Sequence, residues 1–115
     1  MPLLMLKTSA KVPPAEKDSL VATISKMLAE TTGKPQKYVM VTVEEVAGSM
    51  GGKSGPMAFA DVRAIGGLTR EVNSKIASSL CRILEEQLHL SPASVYINFS
   101  DVQASAWGWQ GELFG

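Results

Sequence analysis

A strand–helix–strand pattern occurs twice in the sequence, and this repeat limits what the chain can fold into. One helix is predicted from about Pro13 to Thr32 and a second from about Thr69 to Leu88, each with apolar residues at i, i+4, i+7 and i+8. The two apolar stripes correspond at one constant offset: Leu20, Ile24, Met27 and Leu28 in the first helix, and Ile76, Leu80, Ile83 and Leu84 in the second. Two matched stripes indicate a duplicated unit rather than chance.

Apolar, β-branched runs flank both predicted helices and complete the repeat. A proline precedes the run after each helix, Pro35 in the first unit and Pro92 in the second. The predicted strands are Leu3–Leu6, Tyr38–Val43, Phe59–Val62 and Val95–Phe99. We therefore expect one α/β (α+β) domain over residues 1–115, with βαβ repeats at about 1–50 and 56–106. They should form a four-stranded mixed sheet with both helices on one face. The glycine-rich connection, residues 48–55, is predicted to be a mobile loop.

The strand Tyr38–Val43 is apolar or β-branched at both alternating sets of positions. Such a strand needs cover on both faces, whereas two helices can cover only one. The sequence therefore predicts that a second subunit covers the other face.

Composition excludes several classes of function. The chain has 11 basic and 11 acidic residues and a formal net charge of zero, which argues against nucleic acid and anionic membranes as partners. Its one cysteine, Cys81, allows no internal disulfide, and no signal peptide is evident. We expect a cytoplasmic protein, with secretion by a route that needs no signal peptide left open, and neither a metal nor a cofactor is expected.

An ordered set of short motifs resembles the macrophage migration inhibitory factor family of the tautomerase superfamily. The motifs are Met1-Pro2, Gly33-Lys34-Pro35-Gln36-Lys37-Tyr38, Ile65-Gly66, Leu90-Ser91-Pro92, Val95-Tyr96-Ile97-Asn98 and Trp109. The resemblance is collinear over essentially the whole chain. It implies a homotrimer whose sheets surround a central channel and whose active sites lie at the subunit interfaces. It also implies an isomerase that interconverts the keto and enol forms of phenylpyruvate-like α-keto acids and of dopachrome analogues.

The resemblance assigns the base to the amine of Pro2, exposed when Met1 is removed. An α-amino group has a pKa near 8, and burial or a nearby cation such as Lys34 would lower it toward neutral pH. Lys34 is expected to bind the substrate carboxylate, and the backbone amide of Ile65 to contact the substrate. Tyr96 and Asn98 alternate along one strand, so they share a face, and the family takes this pair from the adjacent subunit.

Aromatic residues are expected to line the pocket, and several positions depart from the family pattern. Tyr38, Trp109 and Phe114 would form a wall for a phenyl ring, and Trp107 stands where a smaller residue is usual. Arg63 replaces a usual histidine. Met57 and Ala60 replace the thiols of a Cys-x-x-Cys motif, so thiol–disulfide exchange is not expected.

Two other functions stay open at this stage. Family members in animals act as cytokines through a cell-surface receptor, so this chain could be a signalling protein with weak tautomerase activity. It could also be a folded relic whose activity is promiscuous.

Overall fold

The computed structural model describes residues 1–115 as two strand–helix–strand units followed by a C-terminal segment. In chain order the elements are β1 (Leu3–Thr8), α1 (Pro14–Thr32), β2 (Met40–Glu45), β3 (Ser49–Met50), β4 (Lys53–Ser54), β5 (Ala58–Ala64), α2 (Arg70–Leu88), β6 (Val95–Asp101), β7 (Gly108–Trp109) and β8 (Glu112–Leu113). Short 3₁₀ turns cover Gln36–Tyr38, Pro92–Ser94 and Ala104–Ala106.

The main sheet has four strands in the order β2-β1-β5-β6. Each unit pairs its two strands in parallel, and the units meet where β1 and β5 pair antiparallel, with Leu3 opposite Arg63. The predicted four-stranded mixed sheet is therefore confirmed. Because β1 and β5 are central and antiparallel, the start of β1 lies beside the end of β5.

Both helices pack on one face of the sheet, as the stripes predicted. Their inward residues are fully buried: Leu20, Ile24 and Leu28 from α1, and Ile76, Leu80 and Leu84 from α2. Met27 and Ile83 lie at the rim of this core and are only partly buried. Neither helix is both long enough and apolar enough to cross a bilayer.

The opposite face of the sheet is open and carries large apolar side chains. Met40 is 61% exposed, Phe59 39% and Tyr96 66%. Across this face the strand register places Tyr96 beside Phe59, Asn98 beside Asp61 and Ser100 beside Arg63. The expectation that the helices leave one face uncovered is met.

The structure differs from the sequence-based expectation in two places. Residues 48–55 were expected to form a mobile loop, but β3 and β4 pair there as a short hairpin whose turn uses the left-handed Gly51 and Gly52. Tyr38 belongs to a 3₁₀ turn, because the turn that begins after Pro35 delays the strand until Met40.

Candidate active site

Most of the functional residues predicted from the sequence, but not Tyr96 and Asn98, converge at the end of the central strands where β1 begins and β5 ends. Pro2 directly precedes β1, and Ile65 directly follows β5. Helix α1 ends at Thr32, and its C-cap Gly33 is in the left-handed conformation (φ 70°). This conformation turns the chain back, so that Lys34 lies near the same strand ends. The C-terminal segment, which contains β7 and β8, supplies the remaining wall.

Two cavities adjoin at this edge, and both are lined by Met1, Tyr38 and Phe114. The larger measures about 500 Å³ and the smaller about 320 Å³, sizes that suit a small-molecule ligand. Besides the shared residues, the larger cavity is lined by Pro2, Leu3, Lys37, Val39, Met40, Arg63, Val102, Ala106, Trp107, Gly108 and Trp109. The smaller adds Lys34, Pro35, Ile65 and Ala104.

Lys34 is held in place by backbone carbonyls at the end of β5. Its Nζ donates to the carbonyl oxygen of Ile65 at 2.6 Å and to that of Gly66 at 3.1 Å. Two of the three ammonium protons are thereby used, which leaves one for an anionic ligand. The ammonium group is thus fixed at the wall of the smaller cavity rather than free in solvent.

The N-terminus lies inside the site. Pro2 is fully buried, and its carbonyl accepts a hydrogen bond from Met40 N at 3.1 Å. The pKa of the Met1 amine is lowered from its ordinary value of 8.0, first by burial and then by the positive charge of Lys34. Removal of Met1 would move the amine to Pro2, one residue further into the same surroundings.

Three aromatic rings form a continuous wall. The Tyr38 and Trp109 ring centroids are 5.6 Å apart in an edge-to-face arrangement, and Trp109 stacks on Phe114 at 5.8 Å. The backbone N–H of Phe114 donates to the Trp107 carbonyl at 3.0 Å, which ties the C-terminal strands to this wall. Trp107 also lines the larger cavity.

Two cations, Lys37 and Arg63, line the larger cavity, and the sequence predicted a binding role for neither. Lys37 Nζ lies 5.1 Å from the centre of the Tyr38 ring. The Arg63 guanidinium donates to the Asp61 carboxylate through Nη2 at 2.9 Å and Nε at 3.4 Å. The position of Arg63, opposite Leu3 in the sheet, is set by strand register, which the sequence pattern did not predict.

Tyr96 and Asn98 line neither cavity of this chain. Both side chains are exposed on the open face, two strands away from β1. From strand geometry, the Asn98 and Pro2 Cα atoms are about 14 Å apart. These two residues could therefore reach such a site only on a neighbouring copy of the chain.

Other reactive side chains lie outside this region. Burial, with a smaller contribution from Glu85, raises the pKa of the Cys81 thiol on α2, which disfavours the reactive thiolate. No group of three or more His, Cys, Asp or Glu side chains is placed to hold a metal ion.

Fold and site together define a protein of the tautomerase fold. The solved macrophage migration inhibitory factor of Toxoplasma gondii is 33% identical, with a TM-score of 0.93, over 97% of this chain and 99% of that one. The homologue from Prochlorococcus marinus is 32% identical, also with a TM-score of 0.93, over 98% and 99%.

The sequence comparisons give the family. The family model described as macrophage migration inhibitory factor (MIF) matches residues 1–115. The macrophage migration inhibitory factor of Rattus norvegicus is 34% identical over 118 aligned positions, which cover 99% of each protein. The chain belongs to the macrophage migration inhibitory factor family.

Proposed function

We propose that this protein is a keto–enol tautomerase of phenylpyruvate-like α-keto acids, with the amine of Pro2 as its general base. The observation that carries the proposal is the buried N-terminus: Pro2 lines a cavity with an aromatic wall, and the nearby Lys34 ammonium contributes to the lowered pKa of the Met1 amine. An amine moved to Pro2 would be a base in the same surroundings, Lys34 would be a partner for a carboxylate, and the rings would be a surface for a phenyl group.

The reaction is a transfer of one proton from carbon to oxygen. The free amine of Pro2 takes a proton from the carbon next to the keto group, the C–H electron pair becomes the new C=C bond, and the C=O π pair moves to the oxygen. The protonated amine then gives the same proton to that oxygen, which forms the enol and restores the free base. Lys34 holds the carboxylate, and the backbone N–H of Ile65 is a donor at the same wall. A base of this kind contributes about 10²- to 10⁴-fold to the rate.

Phenylpyruvate turnover by processed protein tests the proposal. Mass spectrometry should first show that Met1 is absent, and ketonisation of the enol should then be followed by its ultraviolet absorbance. We expect turnover well above the buffer rate, with Arg82→Met, an exposed change on α2, as a matched control. A rate equal to buffer catalysis would refute the proposed activity.

We also infer that the active unit is a homotrimer in which Tyr96 and Asn98 complete the neighbour's site. Support comes from the exposed apolar side chains of the open face and from the distance between Asn98 and Pro2. Sedimentation should give three chains per particle at micromolar concentration. Mixed trimers of a Pro2→Ala and an Asn98→Ala protein, refolded together, should recover activity that neither has alone. A folded monomer would contradict the inference.

A cytokine-like signalling role is the alternative function. Membership of the family supports it as well as it supports catalysis, since relatives carry the name of a migration inhibitory factor. Receptor binding by purified protein, compared with turnover in the same preparation, separates the two. Binding without turnover would favour signalling, and turnover without binding would favour the enzyme.

A further inference from the structure

The charge around the two cavities is one-sided. Lys34, Lys37 and Arg63 line them, and no acidic side chain does. The chain as a whole has 11 basic and 11 acidic residues, so this concentration of positive charge is local. A concave site lined by one sign of charge attracts ligands of the opposite sign.

The cations lie in different parts of the site. Lys34 belongs to the smaller cavity, whereas Arg63 belongs to the larger one together with Pro2. Met1, Tyr38 and Phe114 border both, so the two cavities are neighbours around the N-terminus. A carboxylate bound by Lys34 in the smaller cavity would leave Arg63, in the larger cavity, for a second anionic group.

Arg63 is arranged to bind a second group rather than to stabilise the fold. Asp61 accepts from one edge of the guanidinium, which leaves three of its five N–H donors available. The Arg63 side chain is 47% exposed, and an ion pair of that exposure contributes little to stability. The Asp61 side chain is 22% exposed, and its two hydrogen bonds hold the Arg63 guanidinium in one orientation.

We propose that Arg63 determines substrate specificity by binding a second anionic group, so that the preferred substrate is an α-keto acid dianion held between Lys34 and Arg63. The inference rests on the proposed function and names its substrate class. The aromatic wall lies between the two cations, which favours a substrate with a flat spacer between its anionic ends. A guanidinium fork matches the geometry of a carboxylate.

Binding of two unreactive acids tests the inference without requiring turnover. The pair is 4-carboxyphenylacetate, a dianion, and 4-methylphenylacetate, a monoanion of similar shape. Both tryptophans of the chain, Trp107 and Trp109, line the larger cavity, so quenching of their fluorescence reports occupancy. Protein without Met1 should bind the dianion about five- to tenfold more tightly, a half-exposed charge-assisted contact being weaker than a buried one.

Variants assign the preference to the guanidinium. Arg63→Met should abolish the preference for the dianion, Arg63→Lys should keep part of it, and the distant Arg82→Met should keep all of it. In protein without Met1 and without any substitution, the preference for the dianion should fall as salt is raised to about 0.5 M. This measurement does not depend on whether a variant folds.

Equal affinity for the two acids in unmodified protein, or an undiminished preference in Arg63→Met, would overturn the inference. Quenching by neither acid would overturn it as well. Phenylpyruvate turnover in the same preparation then distinguishes the cases, because turnover without dianion preference removes only the role of Arg63. Loss of both removes the proposed function too.

Discussion

The two ends of the β1–β5 pair are made from equivalent segments of the two units, yet the two cavities described above lie at the same end. At one end Pro2, Lys34 and Ile65 meet around the cavities. At the other end the equivalent positions are Ala58, Leu90 and Ser9. The difference shows how a duplicated scaffold acquires a single functional end.

The second end is closed by hydrogen bonds and burial. Thr8 Oγ1 donates to the Met57 carbonyl at 2.8 Å, and Met57 N donates to Ser9 Oγ at 3.0 Å. Leu90, the counterpart of Lys34, is only 1% exposed. The first unit therefore has a cation, Lys34, beside a cavity, whereas the second has a buried leucine at the equivalent position.

The largest expected effect concerns the functional end. Protein that retains Met1 should lose at least about 100-fold of its tautomerase rate, because an amide nitrogen at Pro2 cannot act as a base. The rate of processed protein should rise with pH through an apparent pKa below 8.0, since burial and Lys34 favour the free amine, which is the active form. Steady-state rates on protein of known N-terminal mass provide the measurement. Undiminished turnover with Met1 in place would refute the assignment.

At the closed end, Leu90→Ala should lower the free energy of unfolding by about 2–5 kcal/mol, because it leaves a cavity in the core. Lys34→Ala, the same truncation at the equivalent position, should cost less than about 1 kcal/mol. Urea unfolding at one protein concentration compares them, since assembly also affects stability. Equal losses of unfolding free energy in the two variants would contradict the view that Leu90 fills the core whereas Lys34 does not.

Lys34→Ala should instead act on catalysis. A charge-assisted hydrogen bond contributes about 1.5–3 kcal/mol, so kcat/KM for phenylpyruvate should fall about ten- to a hundredfold. The methyl ester of the same substrate should lose much less. Lys26→Ala is the matched control, because Lys26 lies on the exposed side of α1, where its Nζ is 4.0 Å from Glu30 Oε1. Equal losses for acid and ester would mean that Lys34 does not bind the carboxylate.

The smallest effect concerns how the two helices end. Gly33 ends α1 in the left-handed region, and His89 ends α2 there with φ 56°. Glycine adopts this conformation without strain, so His89→Gly should stabilise the protein by up to about 1 kcal/mol. Gly33→Ala should destabilise it by a similar amount. Urea midpoints measure both, and a loss of stability in His89→Gly would show that the imidazole makes a stabilising contact.

The helices were predictable to within a residue because burial imposes a 3.6-residue period. Pro14 and Arg70 begin the helices one residue after the predicted starts at Pro13 and Thr69, and Thr69 caps α2 by accepting from Val72 N. The hairpins β3–β4 and β7–β8 were not predicted, since strands of two residues carry no measurable alternation. The family resemblance predicted that Tyr38 and Trp109 line the pocket. Their ring contact could not be predicted, because it depends on the path of the C-terminal segment, whose sequence shows no helical or strand periodicity.

The position of Arg63 beside the N-terminus could not be predicted for a different reason. Its side chain lies on a strand, and the sequence shows only that it alternates with Val62 and Ala64. Which neighbours it meets depends on strand order and register, which place it opposite Leu3 and thus next to the N-terminus.

The central position of β1 has a practical consequence for anyone who attaches a tag or a fusion partner. Because β2 and β5 flank β1 on both sides, Pro2 enters the sheet between two neighbours and is fully buried. A polypeptide joined ahead of it would have to leave through the cavity, past Lys34 and the aromatic wall. A purification handle placed there would occupy the cavities around the N-terminus, so it should be removable by a protease that leaves proline first.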